Sequence, residues 1–194
     1  MSYAALVPWK QGEGNHMINT ITVLSFDAET NGLWGKSFAI GAVLIGADGQ
    51  ERDRFVGRCP IEGEVNEWVA ENVLPEMVSI PVTHSSYEEL LRAFMAWRAT
   101  RKEGATELVH MGVPVEARLF LDAHDMGIIG DWDGPYPLID CAAIPEIGDS
   151  VDGYNARYGI SPEPKEFAGG THNPLYDSMA AAVAYRHWLE NYQG

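Results

Sequence analysis

Positive charge is what this sequence has least of. Its 194 residues carry 13 Lys and Arg against 28 Asp and Glu, a formal net charge of -15 at pH 7. A chain so acidic has no broad basic surface to lay on a nucleic-acid duplex, where phosphate neutralisation dominates affinity. A small site acting on strand ends stays open, because bound cations supply positive charge locally. The acids are spread along the chain and form no single-sign tail. Cysteine is scarce too. Cys59 and Cys141 form no motif and no disulfide framework, which makes a reducing cytoplasm the expected compartment. Long apolar runs are missing: the longest, Phe38 to Ala47, is interrupted by glycine and far too short to span a bilayer, so no membrane partner is expected. Met1 to Met17 lacks the basic start and apolar stretch of a signal peptide. Internal repeats, low-complexity segments and domain linkers are absent as well.

What is present is an ordinary globular composition, 46% hydrophobic and 21% charged, with enough chain for one domain and a real core. Residues 1–17 have no periodicity, and Asn15-His16-Met17 resembles a cloning junction ahead of a second start methionine. That segment reads as a disordered arm or a vector remnant, and 18–194 as a single domain. Three strand-like runs follow: Val23 to Ala28 and Phe38 to Ile45 are apolar and Arg52 to Arg58 alternates in character, and they are joined by the short segments Asn31–Ser37 and Ala47-Asp48-Gly49-Gln50. They predict an antiparallel three-strand meander. Helices are predicted over Asn66–Leu74, stopped by Pro75; from Ser86, where Ser86 and Glu89 make a capping box; from Pro114; weakly over Ser150–Tyr158; and from Pro174 to Tyr192. A short strand is predicted at Glu107–Met111, another short strand or a turn at Pro137–Cys141, and a Pro/Gly-rich loop at Ser161–Gly170. The class is α/β, with a mixed sheet flanked by helices.

Strand alternation places Val23, Ser25, Asp27 and Glu29 on one face and Leu24, Phe26 and Ala28 on the other. Two carboxylates at the end of a buried strand repel each other and are costly to desolvate. Either both are solvated at the strand end, or a hard divalent cation sits between them. Further acids aim the same way. At about 100° per residue, Glu116 shares a stripe with Leu119, Phe120 and Ala123, whereas Asp122 faces away as a solvated partner of Arg118. Asp177 shares its stripe with Ala180, Ala181, Ala184 and Trp188, behind an Asn173 cap and Pro174, while Arg186 and Glu190 face away. His172 lies in the loop before that helix, next to Gly169 and Gly170.

Asp27-Ala28-Glu29, the acid Glu116, and His172 followed five residues later by Asp177 resemble the motifs of the DEDDh 3′–5′ exonucleases, a family of the ribonuclease H-like superfamily. Phe-Asp-Ala-Glu-Thr-Asn-Gly-Leu is similar to its first motif, and His-Asn-Pro-Leu-Tyr-Asp with Ser-Met-Ala-Ala-Ala to its third. The matching order spans Met17 to Tyr192 and looks most like the small phage and bacterial exoribonuclease branch. The second motif departs: Met111 stands where asparagine is usual, and Glu116 where the family has aspartate. One added methylene keeps the charge and moves it by about one C–C bond length.

The resemblance implies a ribonuclease H-like fold. It implies Asp27, Glu29 and Asp177 as direct ligands of two Mg²⁺ or Mn²⁺ ions, Glu116 completing the metal site, and His172 as general base. Thr30, Asn31, Gly32 and Leu33 match the segment that holds the terminal nucleotide, with Leu33 wedged against its base and Trp34 stacking. The partner implied is the 3′ end of single-stranded DNA or RNA. Relatives are often dimers, so a homodimer is among the expectations. Two alternatives accompany this reading: a weakened or inactive exonuclease-fold binding module, prompted by the altered second motif, and a phosphodiesterase for very short oligoribonucleotides, prompted by the lack of basic patches.

Overall fold

The segment Thr22–Thr30 (β1) forms the middle of a five-stranded mixed sheet in a computed structural model that describes residues 21–110, 114–148, 150–162 and 170–191. Ser37–Ile45 (β2) pairs antiparallel with β1, and Glu51–Arg58 (β3) antiparallel with β2. Ala105–Val109 (β4) and Leu138–Asp140 (β5) extend the other side in parallel, giving the order β3-β2-β1-β4-β5. The fold class is therefore the expected one, a mixed α/β sheet opening with an antiparallel meander. The arm at 1–17, Met111 to Val113 and most of the Pro/Gly-rich loop lie outside the described residues.

Helices cover both faces, which is why β1 is apolar on both. Leu24 and Phe26 pack with Tyr87–Ala99 (α2) and Val115–Asp125 (α3); the Phe26 ring lies 5.5 Å from Phe94 and 5.7 Å from Phe120. Val23, Val43 and Leu108 pack with Val151–Tyr158 (α4) and Pro174–Asn191 (α5). Each fully buried side chain of this kind contributes roughly 1.5–3 kcal/mol.

Local chemistry sets most boundaries. Ser86 and Ser150 cap α2 and α4 through the N–H groups of Glu89 and Gly153. The capping box is modified, because the Glu89 carboxylate takes the N–H and hydroxyl of Ser85 instead of returning to Ser86. Glu67–Asn72 (α1) ends two residues before the predicted stop, and Pro75 sits at the start of a 3₁₀ turn, Leu74–Met77. Two surface assignments need correction. Asp122 accepts a 2.8 Å hydrogen bond from the Tyr87 hydroxyl in addition to facing Arg118. Arg186 does not face away from the protein: its guanidinium donates to the carbonyls of Ile21, Gly46 and Ala47. A long side chain can leave one stripe of a helix and reach the sheet ends.

One contact decides where α5 begins. A Cβ on Gly41 would lie 2.3 Å from the Pro174 carbonyl carbon, so the first turn of α5 rests directly on the β2 backbone. The Ser178 hydroxyl donates to the Gly41 carbonyl at 2.9 Å and fastens the same contact. Gly41 is the register partner of Asp27.

Candidate metal centre

That seating carries Asp177, in the first turn of α5, onto the strand position opposite Gly41. Asp27 and Glu29 project from the same face of β1. One carboxylate oxygen from each of Asp27, Glu29 and Asp177 lies within 4.8 Å of the other two. Asp27 is 7% exposed and Asp177 3%. Burial, reinforced by mutual repulsion, holds Asp27 and Glu29 well above the ordinary carboxylate range. Burial pushes Asp177 up to about 8. Each acid is individually unfavourable in its ionised form here, and together they form a site that calls for a cation.

The donor set fits a divalent metal. Asp177 Oδ1 and Glu116 Oε2 are buried with no hydrogen-bond partner. Neither lysine nor arginine lines the cleft among the described residues. Carboxylate-only donors suit Mg²⁺ or Mn²⁺ better than softer metals.

Glu116 stands beside the three-acid group, not inside it. It is 2% exposed in the first turn of α3, and its Oε1 accepts the Ala28 N–H at 3.2 Å. The pairing of β1 with β4 ends at Phe26 and Val109, so the Ala28 N–H emerges beyond the last β4 partner. Glu116 supplies the acceptor that the neighbouring strand no longer does. Burial raises its carboxyl to about 7, against the lowering effect of that N–H. The additional methylene is thus used to span from α3 to the β1 backbone. Glu116→Asp is therefore expected to weaken Mn²⁺ binding and to cost about 1 kcal/mol of stability, the usual worth of one such hydrogen bond. Calorimetric Mn²⁺ titration and denaturant unfolding check this, and a variant that binds Mn²⁺ more tightly would show that glutamate weakens the site.

His172 has φ 74, the left-handed region, and is the described non-glycine residue found there. Its N–H donates to Asp177 Oδ2 at 2.9 Å, its Nδ1 lies 3.9 Å from Glu29 Oε1, and its ring meets Trp68 edge-on at 5.1 Å. Asp27, Glu29, Glu116, His172 and Asp177 all line one cleft of about 400 Å³. Thr30, Gly32 and Leu33 line it as well.

Asn31 and Trp34 do not. Asn31 donates from its amide to the Glu64 carbonyl and accepts the Asn66 N–H, both at 2.8 Å, so it straps the β1–β2 loop to the start of α1. Trp34 is 72% exposed and lies outside the lining, so a stacking role there has no geometric support. The aromatic wall comes from Trp68, which sequence reasoning missed because α1 is only six residues long and carries no apolar stripe. His110 also lines the cleft, with a buried, unpartnered Nε2, and burial lowers its pKa. Its signal was its place just past a strand that runs parallel to β1, since ligands gather at the carboxyl ends of such strands.

No protein-family model matches the chain, and no curated protein matches it either.

Proposed function

We propose that this protein is a metal-dependent 3′–5′ exonuclease with a ribonuclease H-like fold, which releases nucleoside 5′-monophosphates from single-stranded 3′ ends. The observation that carries the reading is the convergence of Asp27, Glu29 and Asp177 within 4.8 Å, with buried carboxylate oxygens left unpartnered. The sheet order, and the acids' position on its central strand, are compatible with that fold. The order of the motifs supports the direction of digestion.

Asp27, Glu29 and Asp177 would hold two Mg²⁺ or Mn²⁺ ions, with Glu116 at the edge of the site. Ions held by these residues would supply an acidified water and charge stabilisation for the leaving oxygen of an in-line displacement. The chain's own residues do the rest. Nδ1 of His172 is turned toward Glu29, which leaves Nε2 to take the proton of the attacking water. Leu33 and Trp68 offer apolar walls for the terminal base, and stacking of that kind tolerates any base. The cleft is acidic, so phosphate enters only with its cations.

The test uses a 5′-labelled single-stranded oligonucleotide. Wild type with Mn²⁺ or Mg²⁺ should give a ladder of shortening products, and Asp27→Asn should give none. Equal behaviour of the two proteins would end the proposal. The cleft's lack of described lysine and arginine favours a second reading, a preference for very short oligonucleotides. Faster turnover of dinucleotides than of long strands would select it.

A further inference from the structure

Asp152 lies in the first turn of α4, outside the metal-binding group, and both its oxygens are engaged. Oδ2 accepts from the Thr171 hydroxyl at 2.7 Å, and Oδ1 from the Tyr176 hydroxyl at 3.3 Å. Thr171 immediately precedes His172, and Tyr176 immediately precedes Asp177. A single carboxylate on another helix therefore grips the chain one residue ahead of the general base and one residue ahead of the metal ligand.

A purely structural account is incomplete. An acid in a helix's first turn is favourable there, but Ser150 already caps α4. Asp152 also adds negative charge near Asp177, which is raised partly by it. That repulsion works against the metal-free fold, and a neutral acceptor would avoid it. On the opposite side of the loop, Glu76 accepts the Gly170 N–H at 3.2 Å, and its carbonyl accepts from the Asn173 amide at 3.2 Å. Glu76 thus holds the loop's ends, whereas Asp152 holds the residue bonded to His172. A histidine kept at φ 74 needs such restraint, because the left-handed region is unfavourable for a residue with a Cβ.

We propose that Asp152 is the positioning residue of this site, fixing His172 relative to Asp177 through the hydroxyls of Thr171 and Tyr176. The inference rests on the exonuclease reading for its kinetic consequence and on the loop geometry alone for its structural one.

Two measurements test it separately. In the kinetic one, Asp152→Ala should lower kcat by about 10- to 100-fold, the scale of a misplaced catalytic group, with KM for a short oligonucleotide and calorimetric Mn²⁺ affinity changed less than about twofold. Thr171→Val should reproduce much of that loss, the double variant should be no worse than Asp152→Ala, and Asp152→Asn should recover most of the rate. In the structural one, nuclear Overhauser contacts between the His172 and Trp68 rings should be present in wild type, retained in Asp152→Asn and lost in Asp152→Ala or, if that variant does not fold, in Thr171→Val. A wild type without nuclease activity would overturn the exonuclease reading and leave the ring contacts to decide the positioning. Ring contacts preserved in both Asp152→Ala and Thr171→Val, or additive losses in kcat, would overturn the positioning role.

Discussion

Asp177→Asn is expected to cut the proposed nuclease turnover by about 10²–10³-fold, the scale of losing a group acting in the transition state, while making the metal-free protein more stable. The substitution is nearly isosteric. The amide oxygen can keep the 2.9 Å bond from the His172 N–H. The amide nitrogen replaces Oδ1, a buried acceptor with no partner, and turns a donor toward the carboxylates of Asp27 and Glu29. In chelator above about pH 8, where Asp177 is ionised, one repulsive charge and one unsatisfied atom disappear together. Relief of that kind is worth on the order of 1–3 kcal/mol. At about 2–4 °C per kcal/mol for a chain of this size, thermal unfolding in chelator should rise by several degrees. Adding Mn²⁺ should then stabilise wild type and leave the variant unchanged. A variant less stable than wild type in chelator would show that Asp177 is a structural acid and would remove the electrostatic basis of the site.

The same opposition explains which features could be read from sequence. Asp27, Glu29 and Asp177 were legible because their directions follow from short-range rules: a period of two along β1, and a cap, a proline and an alanine stripe at the start of α5. Glu116 was legible as a charge on an apolar stripe, although its use of the Ala28 N–H was not, because that depends on where β4 stops pairing. The meander and the class of fold followed from apolar runs and turns. The strap made by Asn31 and the grip of Asp152 are illegible in the sequence for the same reason. Locally Asn31 is a turn residue next to a binding motif, yet its partners lie 33 and 35 residues away. Asp152 sits in the first turn of a helix, and its partners arrive only when α4 and the His172 loop are packed together. Arg186 was placed on the outer face by periodicity, which tracks Cα positions and not the reach of a long side chain. Gly41 is one position of an apolar run in the sequence, and its purpose appears only with Pro174 packed against it.

A second large effect concerns pH, and it changes sign with metal. Without metal, Glu116 titrates at about 7 and Asp177 at about 8, and Asp27 and Glu29 also lie well above the ordinary range, whereas in the unfolded chain all four titrate near 4. Between those limits the folded state holds more protons than the unfolded one, so stability falls as pH rises. The stabilisation from these acids is complete below about pH 4 and is lost as pH climbs through their folded values. Melting in chelator should therefore move downward from pH 5 to pH 8, more steeply for wild type than for Asp177→Asn, which lacks one of the titrating groups. With Mn²⁺ present the trend should reverse, because the ligands bind only when deprotonated and binding must release their protons. Affinity should rise across the same interval, and calorimetry in buffers of different ionisation enthalpy should register the released protons. A wild-type melting profile that is flat in chelator, or parallel to that of Asp177→Asn, would mean that the acids are solvated and ionised at the end of β1. The metal site would then lose its main physical support, since acids already comfortable in water gain little from a cation.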